Sequence, residues 1–248
     1  AALCALAPAA LGGVRLRALP GPVRDSWLEV LREALPAGMP LRRVPVHVSE
    51  GRLIGGLDLS ATLQAGRPVA ERGLLAETDG GLLLLAMAER ARPVTIAHLG
   101  AALDSGEVAL ERDGLTGRNP AAVGVVALDE ALEQEDGLAP PLADRLALHL
   151  DLRTLALFDL DESAPDTAAI ATARRRWPAV TVTEEDVQAL CAAALSLGIA
   201  SLRASLHAVR VARMAAALAG RSAVGADDLA VAARLVLAPR ATRLPQVE

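Results

Sequence analysis

The stretch GGVRLRALPGPVRDSWLEVLREAL, residues 12–35, predicts a strand, a turn and a helix in that order. Apolar residues alternate at Val14, Leu16 and Ala18, which is typical of a strand, and they recur at helical spacing from Trp27 to Leu35. The Gly- and Pro-rich segment PGPVRD between them predicts a turn. A strand, a turn of this kind and a helix are how a phosphate-binding α/β domain begins.

The turn departs from a working P-loop, G-x-x-x-x-G-K-[ST], wherever that motif touches phosphate or Mg²⁺. Ala18 and Val23 stand at the two glycines, and Val23 adds a Cβ where the backbone must approach the phosphate. Asp25 places an anion where the hydroxyl should be, and Arg24 keeps the charge of the lysine but not its compact ammonium. All 25 basic residues of the chain are Arg. Lysine-dependent ATP chemistry is therefore not encoded, and Gly21, Arg24 and Asp25 are the candidate remnants of a nucleotide site.

Composition excludes several classes of function. The chain has a net charge of −5 and only 1% aromatic residues, which argues against a nucleic-acid binder. Even the apolar run from Leu82 to Ala88 is far too short to span a bilayer. The first ten residues have no basic region or initiator Met, so we expect the cut start of a longer chain and not a signal peptide. Cys4 and Cys191 are expected to be buried free thiols in a reducing cytoplasm.

A second nucleotide-binding element should follow the strand at residues 82–86. In an ATPase such a strand ends in Asp-Glu, which organises Mg²⁺ and the attacking water, but this one continues into Ala86 and Met87. We therefore interpret it as an ordinary central strand. Other expected strands cover residues 43–48, 123–128 and 149–152.

Helices and loops are expected between these strands. Asp58 or Ser60 can cap a short helix that stops at Gly66, and Pro93 to Gly106 is typical of a helix. The Asp113-Gly114 pair predicts a hairpin after the strand that starts at Glu107. We interpret the carboxylates that follow residue 128 as a solvated acidic loop and not as a metal site, because their spacing is irregular; they are Asp129, Glu130, Glu133 and Glu135. A further short helix is expected over residues 140–146.

From residue 159 onward the pattern changes to helical periodicity. We expect helices from Thr183 to about Gly198, from Ser201 to Gly220 and from Asp227 to about Ala238. On the second, an apolar face is predicted from Leu202, Leu206, Val209 and Leu218. Arg203, His207 and Arg210 are predicted to share another face.

Four phrases resemble the AAA+ subunits of magnesium chelatase. They are GLLAETDGGLLLL (73–85), DSGEVALERDGLT (104–116), LAPPLADRLALHLDLRT (138–154) and GIASLRASLHAVRVARMAAALAGR (198–221). The resemblance covers about residues 12–240. It implies an α/β fold with an AAA+ P-loop-type parallel sheet, flanking helices and β-hairpin insertions, followed by a small all-α lid domain. We expect the AAA+ core over residues 1–158, the lid over 159–240 and the start of a linker over 241–248.

This family has two kinds of AAA+ subunit. The I subunit keeps its nucleotide motifs and hydrolyses ATP, whereas the D subunit has an eroded site, followed by an acidic linker and an integrin-I-like domain. The erosion around Arg24 and Met87, and the lack of an Asn after the strand at 123–128, identify this chain with the N-terminal AAA+ region of the D subunit. The resemblance makes Arg145 a candidate arginine finger for a neighbouring subunit and Arg203 a candidate sensor-2 residue. For Arg145 the alternative is a salt bridge with Asp144 or a neighbouring acid, and for Arg203 it is a structural arginine on a helix that faces an acidic α/β surface.

The resemblance implies a non-hydrolysing or weakly nucleotide-binding scaffold that assembles with the I subunit in hexameric-type rings. ATP and Mg²⁺ would bind in the partner's site, no cofactor is firmly assigned to this chain, and a porphyrin-binding catalytic subunit would receive the motion. The complex would insert Mg²⁺ into protoporphyrin IX in the cytoplasm, on the path to chlorophyll or bacteriochlorophyll. The alternatives are a slow ATPase that uses Arg24 in its degenerate P-loop and an unrelated AAA+ adaptor.

Overall fold

The computed structural model describes residues 1–112, 114–133, 136–160 and 164–243. These residues form nine strands: β1 (Gly13–Arg17), β2 (Leu41–Val44), β3 (Gly55–Leu57), β4 (Ala70–Arg72), β5 (Leu82–Leu85), β6 (Glu107–Arg112), β7 (Leu115–Pro120), β8 (Gly124–Asp129) and β9 (Leu148–Asp151). They also form twelve α-helices: α1 (Ala2–Leu6), α2 (Pro8–Leu11), α3 (Pro22–Ala34), α4 (Glu50–Ile54), α5 (Leu59–Ala65), α6 (Leu74–Glu77), α7 (Pro93–Ser105), α8 (Pro140–Ala143), α9 (Thr167–Arg176), α10 (Glu184–Ser196), α11 (Leu202–Leu218) and α12 (Ala226–Ala232). A π-helical turn, Ala233–Leu237, extends α12.

The main sheet is parallel, in the order β2-β5-β8-β1-β9. The predicted parallel sheet is confirmed, as is the hairpin, formed by β6 and β7. Asp113 of the predicted turn lies outside the described residues. A second hairpin, β3–β4, was not predicted. Strand β2 ends at Val44, earlier than expected, because Pro45 has no N–H to continue the ladder.

The inner strands β5, β8 and β1 are largely buried on both faces, as expected for parallel strands, whereas the edge strands β2 and β9 are partly exposed. Val14, Leu16 and Val126 pack with the lid helices, whereas Val125 and Ala127 pack on the other face with α7 and α8. Glycine at positions 12 and 13 allows the start of β1 to pack closely against the adjacent backbone. A Cβ at Gly12 would collide with the Arg145 carbonyl, and a Cβ at Gly13 would collide with the Val125 carbonyl. Both glycines have positive φ, 66° and 130°.

The lid helices begin and end close to the predicted residues, and Thr183 caps α10 in a capping box with Asp186. Helix α9 was not predicted as a separate element. The first eleven residues form α1 and α2, whose Leu6 and Leu11 belong to the core. None of the helices in the described ranges is long and apolar enough to cross a membrane.

Two predictions about burial are wrong. Cys4 is buried but Cys191 is exposed. On α11 the predicted apolar face is wrong for two of its four residues, since Leu202 is 83% exposed and Leu206 57% exposed, whereas Val209 and Leu218 are partly buried and pack against the core. The buried face of α11 consists mainly of alanines with Val211, Met214 and His207. Small residues face inward because α1, α2, α9 and α12 all pack closely against this helix.

The junction between the lid and the sheet contains two histidines, His207, which is buried, and His149, which is partly buried. Burial, followed by the positive charge of Arg240, lowers the pKa of His149 to about 3. The same two causes lower the pKa of His207 to about 4. Arg240 donates to the His149 ring at 3.0 Å, whereas neither ring nitrogen of His207 has a hydrogen-bond partner among the described residues. Both rings are therefore neutral in the folded protein near pH 7.

We predict that His207→Met reduces the acid sensitivity of folding. When the pKa of a histidine is lower in the folded state than in the unfolded state, the free energy of unfolding is highest above about pH 6.5. It decreases as the pH falls toward the pKa of the folded state, because the unfolded state then binds the proton more readily. The loss is about 1.4 kcal/mol per pH unit for each such histidine. Urea unfolding at pH 7 and pH 5 should show a smaller loss for His207→Met than for the wild type.

His47 is exposed and provides the matched control, since His47→Asn should leave the acid-induced loss unchanged. At pH 7 the methionine variant should be at least as stable as the wild type, because it removes two buried nitrogens that have no hydrogen-bond partner in the described part of the chain. An unchanged loss of stability between pH 7 and pH 5 in His207→Met would contradict the prediction.

Candidate functional site

The turn after β1 does not form a phosphate cradle. Gly21 has an extended backbone with φ 160° and ψ 177°, which other residues also adopt, and a Cβ placed on it would meet nothing within 4 Å. Helix α3 begins directly at Pro22, which has no N–H to offer a phosphate. Val23, at the position of a P-loop glycine, packs against the hydrophobic core. This turn therefore has the properties of a structural connection.

Arg24, at the position of the P-loop lysine, is held by a carboxylate of the same chain. Its Nη1 donates to Glu130 Oε1 at 2.7 Å, and its Nε lies 3.8 Å from Asp25 Oδ1. The Arg24 side chain is 14% exposed. Glu130 directly follows β8, so the sheet itself positions the group that neutralises this guanidinium.

The strand end that should carry the magnesium-binding carboxylate carries Met87, whose φ is +46°. The nearby Glu89 accepts a hydrogen bond from the Glu130 amide at 3.1 Å, and its side chain is 7% exposed. No group of three His, Cys, Asp or Glu in the described ranges could hold a metal ion. The donors around the turn thus fit a magnesium nucleotide poorly, since the local arginine is neutralised and the carboxylates serve structural contacts.

The prediction of a solvated acidic loop after β8 is wrong for its first residue. Asp129 is fully buried, accepts from Arg15 Nε at 2.7 Å, and accepts from the backbone amides of Ala131 and Leu138. A carboxylate with these partners is a structural anchor for the loop. Glu135 lies outside the described residues.

Arg145 lies at the opposite end of β1 from the turn. Its backbone carbonyl contacts Gly12, which precedes β1, whereas Ala18 and Gly21 follow the strand. With a rise of about 3.3 Å per residue, the path from Gly12 to Ala18 is about 20 Å. The Arg145 side chain therefore cannot reach the nucleotide turn of its own chain.

The Arg145 guanidinium is oriented by Asp104, near the end of α7. Nε and Nη2 both donate to Asp104 Oδ2, at 3.0 and 2.5 Å, and Nη1 donates to the Pro141 carbonyl at 2.6 Å. The hydrogen bond from Arg145 is also the main reason that the pKa of Asp104 is below its ordinary value. The arginine side chain is 23% exposed and faces the protein surface. The structural ion pair that we left open for Arg145 is therefore present, with Asp104 and not with Asp144.

Arg203 of the lid joins the same group of charges. Its Nη1 donates to Asp104 Oδ1 at 3.0 Å and its Nε to Asp144 Oδ2 at 3.2 Å. Ser201 donates to the other oxygen of Asp144 at 2.5 Å. Two arginines, one from the core and one from the lid, are thus held side by side by two aspartates. We call these four residues, Asp104, Asp144, Arg145 and Arg203, the charge cluster.

The predicted site residues fall into two separate places. Gly21, Arg24 and Asp25 lie at the turn, whereas Arg145 and Arg203 lie together in the charge cluster. Asp104, which joins the two arginines, was missed because it lies 41 residues from Arg145 in the chain and nothing in the helical pattern of α7 indicates that pairing. An apolar groove of about 560 Å³, lined by α7 residues and Pro141, opens beside Arg145.

Comparison with known proteins places this geometry in a family. A model described as the AAA lid domain matches residues 187–248. The chain is 40% identical to the magnesium-chelatase 60 kDa subunit of Rhodobacter capsulatus over 96% of this chain and 39% of that protein. It is 32% identical to the 67 kDa subunit of Chlorobaculum parvum, over 96% of this chain and 41% of that one.

The chain thus spans about two fifths of the length of these larger relatives. It is also 30% identical to the magnesium-chelatase 38 kDa subunit of Rhodobacter capsulatus, over 88% of this chain and 69% of that protein.

The crystal structure of a Cytophaga hutchinsonii protein thought to be an ATPase superposes with a TM-score of 0.69. It covers 95% of this chain and 80% of that one at 18% identity, so it supports the fold alone. The relatives, the lid model and the shared fold agree. The chain belongs to the magnesium-chelatase subunit family, in which it corresponds to the N-terminal AAA+ region of the larger, D-type subunit.

Proposed function

We propose that this chain is a scaffold and regulatory AAA+ module that does not hydrolyse ATP itself and completes the ATP site of an adjacent I subunit. The observation that carries the proposal is the separation of the two candidate sites. Arg24 at the chain's own turn is neutralised by Glu130, whereas Arg145 lies about 20 Å from that turn at the protein surface.

An arginine in this position can act only on a phosphate that another subunit brings to it. A guanidinium that stabilises charge on the transferring phosphoryl group raises the rate of hydrolysis strongly. Arg203 lies beside Arg145 and would approach the same phosphate. In this proposal, Arg203 is therefore a sensor-2 residue of the lid that acts on the ATP of the neighbouring subunit. The apolar groove beside Arg145 provides a surface for the neighbour.

In the assembly we propose, rings of hexameric type bring this chain and the I subunit together. ATP and Mg²⁺ bind in the I subunit, and the resulting motion reaches a porphyrin-binding catalytic subunit that inserts Mg²⁺ into protoporphyrin IX. This assignment is supported by the relatives of the chain, which are named as magnesium-chelatase subunits. We further propose that the chain is located in the cytoplasm. Its AAA+ core would cover residues 1–158, its lid residues 159–240 and the start of a linker residues 241–248. Residues 244–248 lie outside the described part.

The alternative, a slow ATPase that uses Arg24, has weaker support. It would require Arg24 to leave Glu130, and it would still lack the Asp-Glu pair after β5. A nucleotide could bind weakly at this turn, but the residues that activate water are not there.

The isolated chain should release no phosphate from ATP above the rate in buffer. Glu130→Gln, which removes the charge that holds Arg24, should not create turnover, because the end of β5 still carries no catalytic carboxylate. Phosphate release is the measurement, with an authentic I subunit as the positive control. Turnover by the chain that disappears in Arg24→Ala would establish the slow-ATPase alternative instead.

In the mixed assembly with the I subunit, Arg145→Ala should lower the ATP turnover of the assembly at least about tenfold with little change in KM, because an arginine finger acts mainly in the transition state. Arg145→Lys should recover only part of the rate, since lysine keeps the charge but loses the planar fork.

Arg32→Ala, at an exposed arginine of α3, is the matched control and should leave turnover unchanged. Assembly is measured separately by sedimentation, so that a loss of rate is not confused with a loss of the complex. Full turnover by an intact assembly that contains Arg145→Ala would exclude the finger role.

A further inference from the structure

The interior strand β1, which lies between β8 and β9, carries two arginines, Arg15 and Arg17, on one face of the sheet. Strands buried on both faces of a parallel sheet are normally apolar throughout. In register with Arg17 are Asp129 of β8 and Asp151 of β9, so charged residues of three adjacent strands meet near the carboxyl end of the sheet. Crevices at this end of parallel strands are where open α/β sheets bind ligands.

The carboxylates in this region are already committed. Asp129 accepts from Arg15, whose Nη2 lies 2.5 Å away. Asp151 is paired with Arg153, whose Nη2 donates at 2.7 Å. Arg17 forms no ion pair with a described residue and donates only to the backbone carbonyls of Ala131 and Glu133. Three guanidinium groups thus share two carboxylates within the described residues, so Arg17 has no paired carboxylate there. Its charge acts only at longer range on Asp151, whose pKa is lowered mainly by the hydrogen bond from Arg153 and to a smaller extent by Arg17.

Arg17 is thus the residue whose charge has no paired carboxylate among the described residues, and it is 7% exposed. Its Nε is buried and has no hydrogen-bond partner in the part of the chain that the structure describes. A buried charge without an ionic partner costs several kcal/mol. A bound anion would remove this cost.

The arginines surround a cavity of about 220 Å³ that is open to solvent. Its lining includes Arg15, Arg17, Arg153, Asp151, His149 and Pro239. Pro239 comes from the lid, so an occupant would contact both the sheet and the lid. Burial is the main reason that the pKa of His149 is low, and the positive charges of Arg240 and, to a smaller extent, Arg15 lower it further, which agrees with a positive potential at this place.

We propose that this cavity binds a single phosphate-type oxyanion. Guanidinium groups form paired, charge-assisted hydrogen bonds with phosphate oxygens, and Arg15 and Arg17 have nitrogens that are not engaged by described residues. The cavity is smaller than the usual pockets for whole ligands of drug size, which favours one phosphate group over a complete nucleotide inside it. The anion would be free phosphate or the terminal phosphate of a nucleotide lying outside the cavity.

The site is separate from the charge cluster and from Arg24. Arg153 lines both this cavity and the smaller one beside Gly21 and Arg24, so the two are neighbours, but Arg17 lines only the first. Arg17 is therefore the residue that distinguishes them.

The test is calorimetric titration of the chain with inorganic phosphate, at constant ionic strength maintained with chloride. We expect saturable binding with one phosphate per chain, weakened at least about tenfold in Arg17→Met because a charge-assisted hydrogen bond is lost. Arg32→Met, which removes an exposed arginine elsewhere, should bind as the wild type does. Circular dichroism verifies folding, and if Arg17→Met does not fold, Arg153→Gln replaces it, with a severalfold weakening expected.

Absence of saturable phosphate binding to the wild type would overturn the proposal, as would unchanged affinity in a folded Arg17→Met variant. The same titration with ATP identifies the source of the anion. Binding of ATP that is tighter than phosphate and is lost in Arg17→Met indicates a terminal phosphate, whereas preference for inorganic phosphate indicates the free ion. If phosphate and ATP binding is lost in Arg24→Met but kept in Arg17→Met, the anion lies at the turn and the proposal is wrong.

Discussion

The arginines that dock the lid on the α/β core determine where Arg203 lies relative to Arg145 and Asp104. Arg174 donates to the Leu6 carbonyl at 2.9 Å, Arg210 to the Ala10 carbonyl at 3.1 Å and Arg240 to the Ala147 carbonyl at 3.0 Å. A planar guanidinium can satisfy several carbonyl groups at once, which a lysine ammonium does in a less defined geometry. The lid is thereby fixed where Arg203 meets Arg145 and Asp104, and not beside the turn after β1.

The two places where an arginine meets a carboxylate differ in how easily the pair can separate. Arg24 is 14% exposed and Glu130 23%, whereas in the charge cluster Asp104 and Arg203 are each 38% exposed. Arg145 is 23% exposed. Ion pairs open to solvent contribute only about 0–1 kcal/mol, so in the proposed function Arg203, the more exposed of the two arginines, can exchange Asp104 for an incoming phosphate at small cost. In the function proposed above, Asp104 would keep both guanidinium groups oriented until the neighbouring subunit arrives. The more enclosed pair at Arg24 has no such freedom.

Local patterns in the sequence predicted much of the fold, because β1, α3, the β6–β7 hairpin and the lid helices each carry their own periodicity and caps. The buried face of α11 was predicted wrongly, since helical spacing offers several faces and the choice among them depends on which helices pack there. Asp104 was missed for a related reason. A carboxylate near a helix end is ordinary in sequence, and only the tertiary fold brings it to Arg145 and Arg203. The resemblance indicated both arginines but not their common partner.

The turn after β1 indicates what replaces a nucleotide site once its chemistry is no longer used. In a working P-loop, the backbone amides and a positively charged side chain have no partners within the protein, so that they can bind phosphate. When the site is empty, these unpaired groups lower the stability of the folded protein. In this chain each of those features has acquired a structural partner or lost its role. Val23 packs in the core, Arg24 is neutralised by Glu130 and Gly21 adopts an extended backbone. Positive charge that is still available to an anion lies elsewhere, at Arg17 and in the charge cluster, and both places involve the junction with the lid. In the function proposed above, a subunit with these features would act on phosphate at its boundaries without hydrolysing ATP at its own turn.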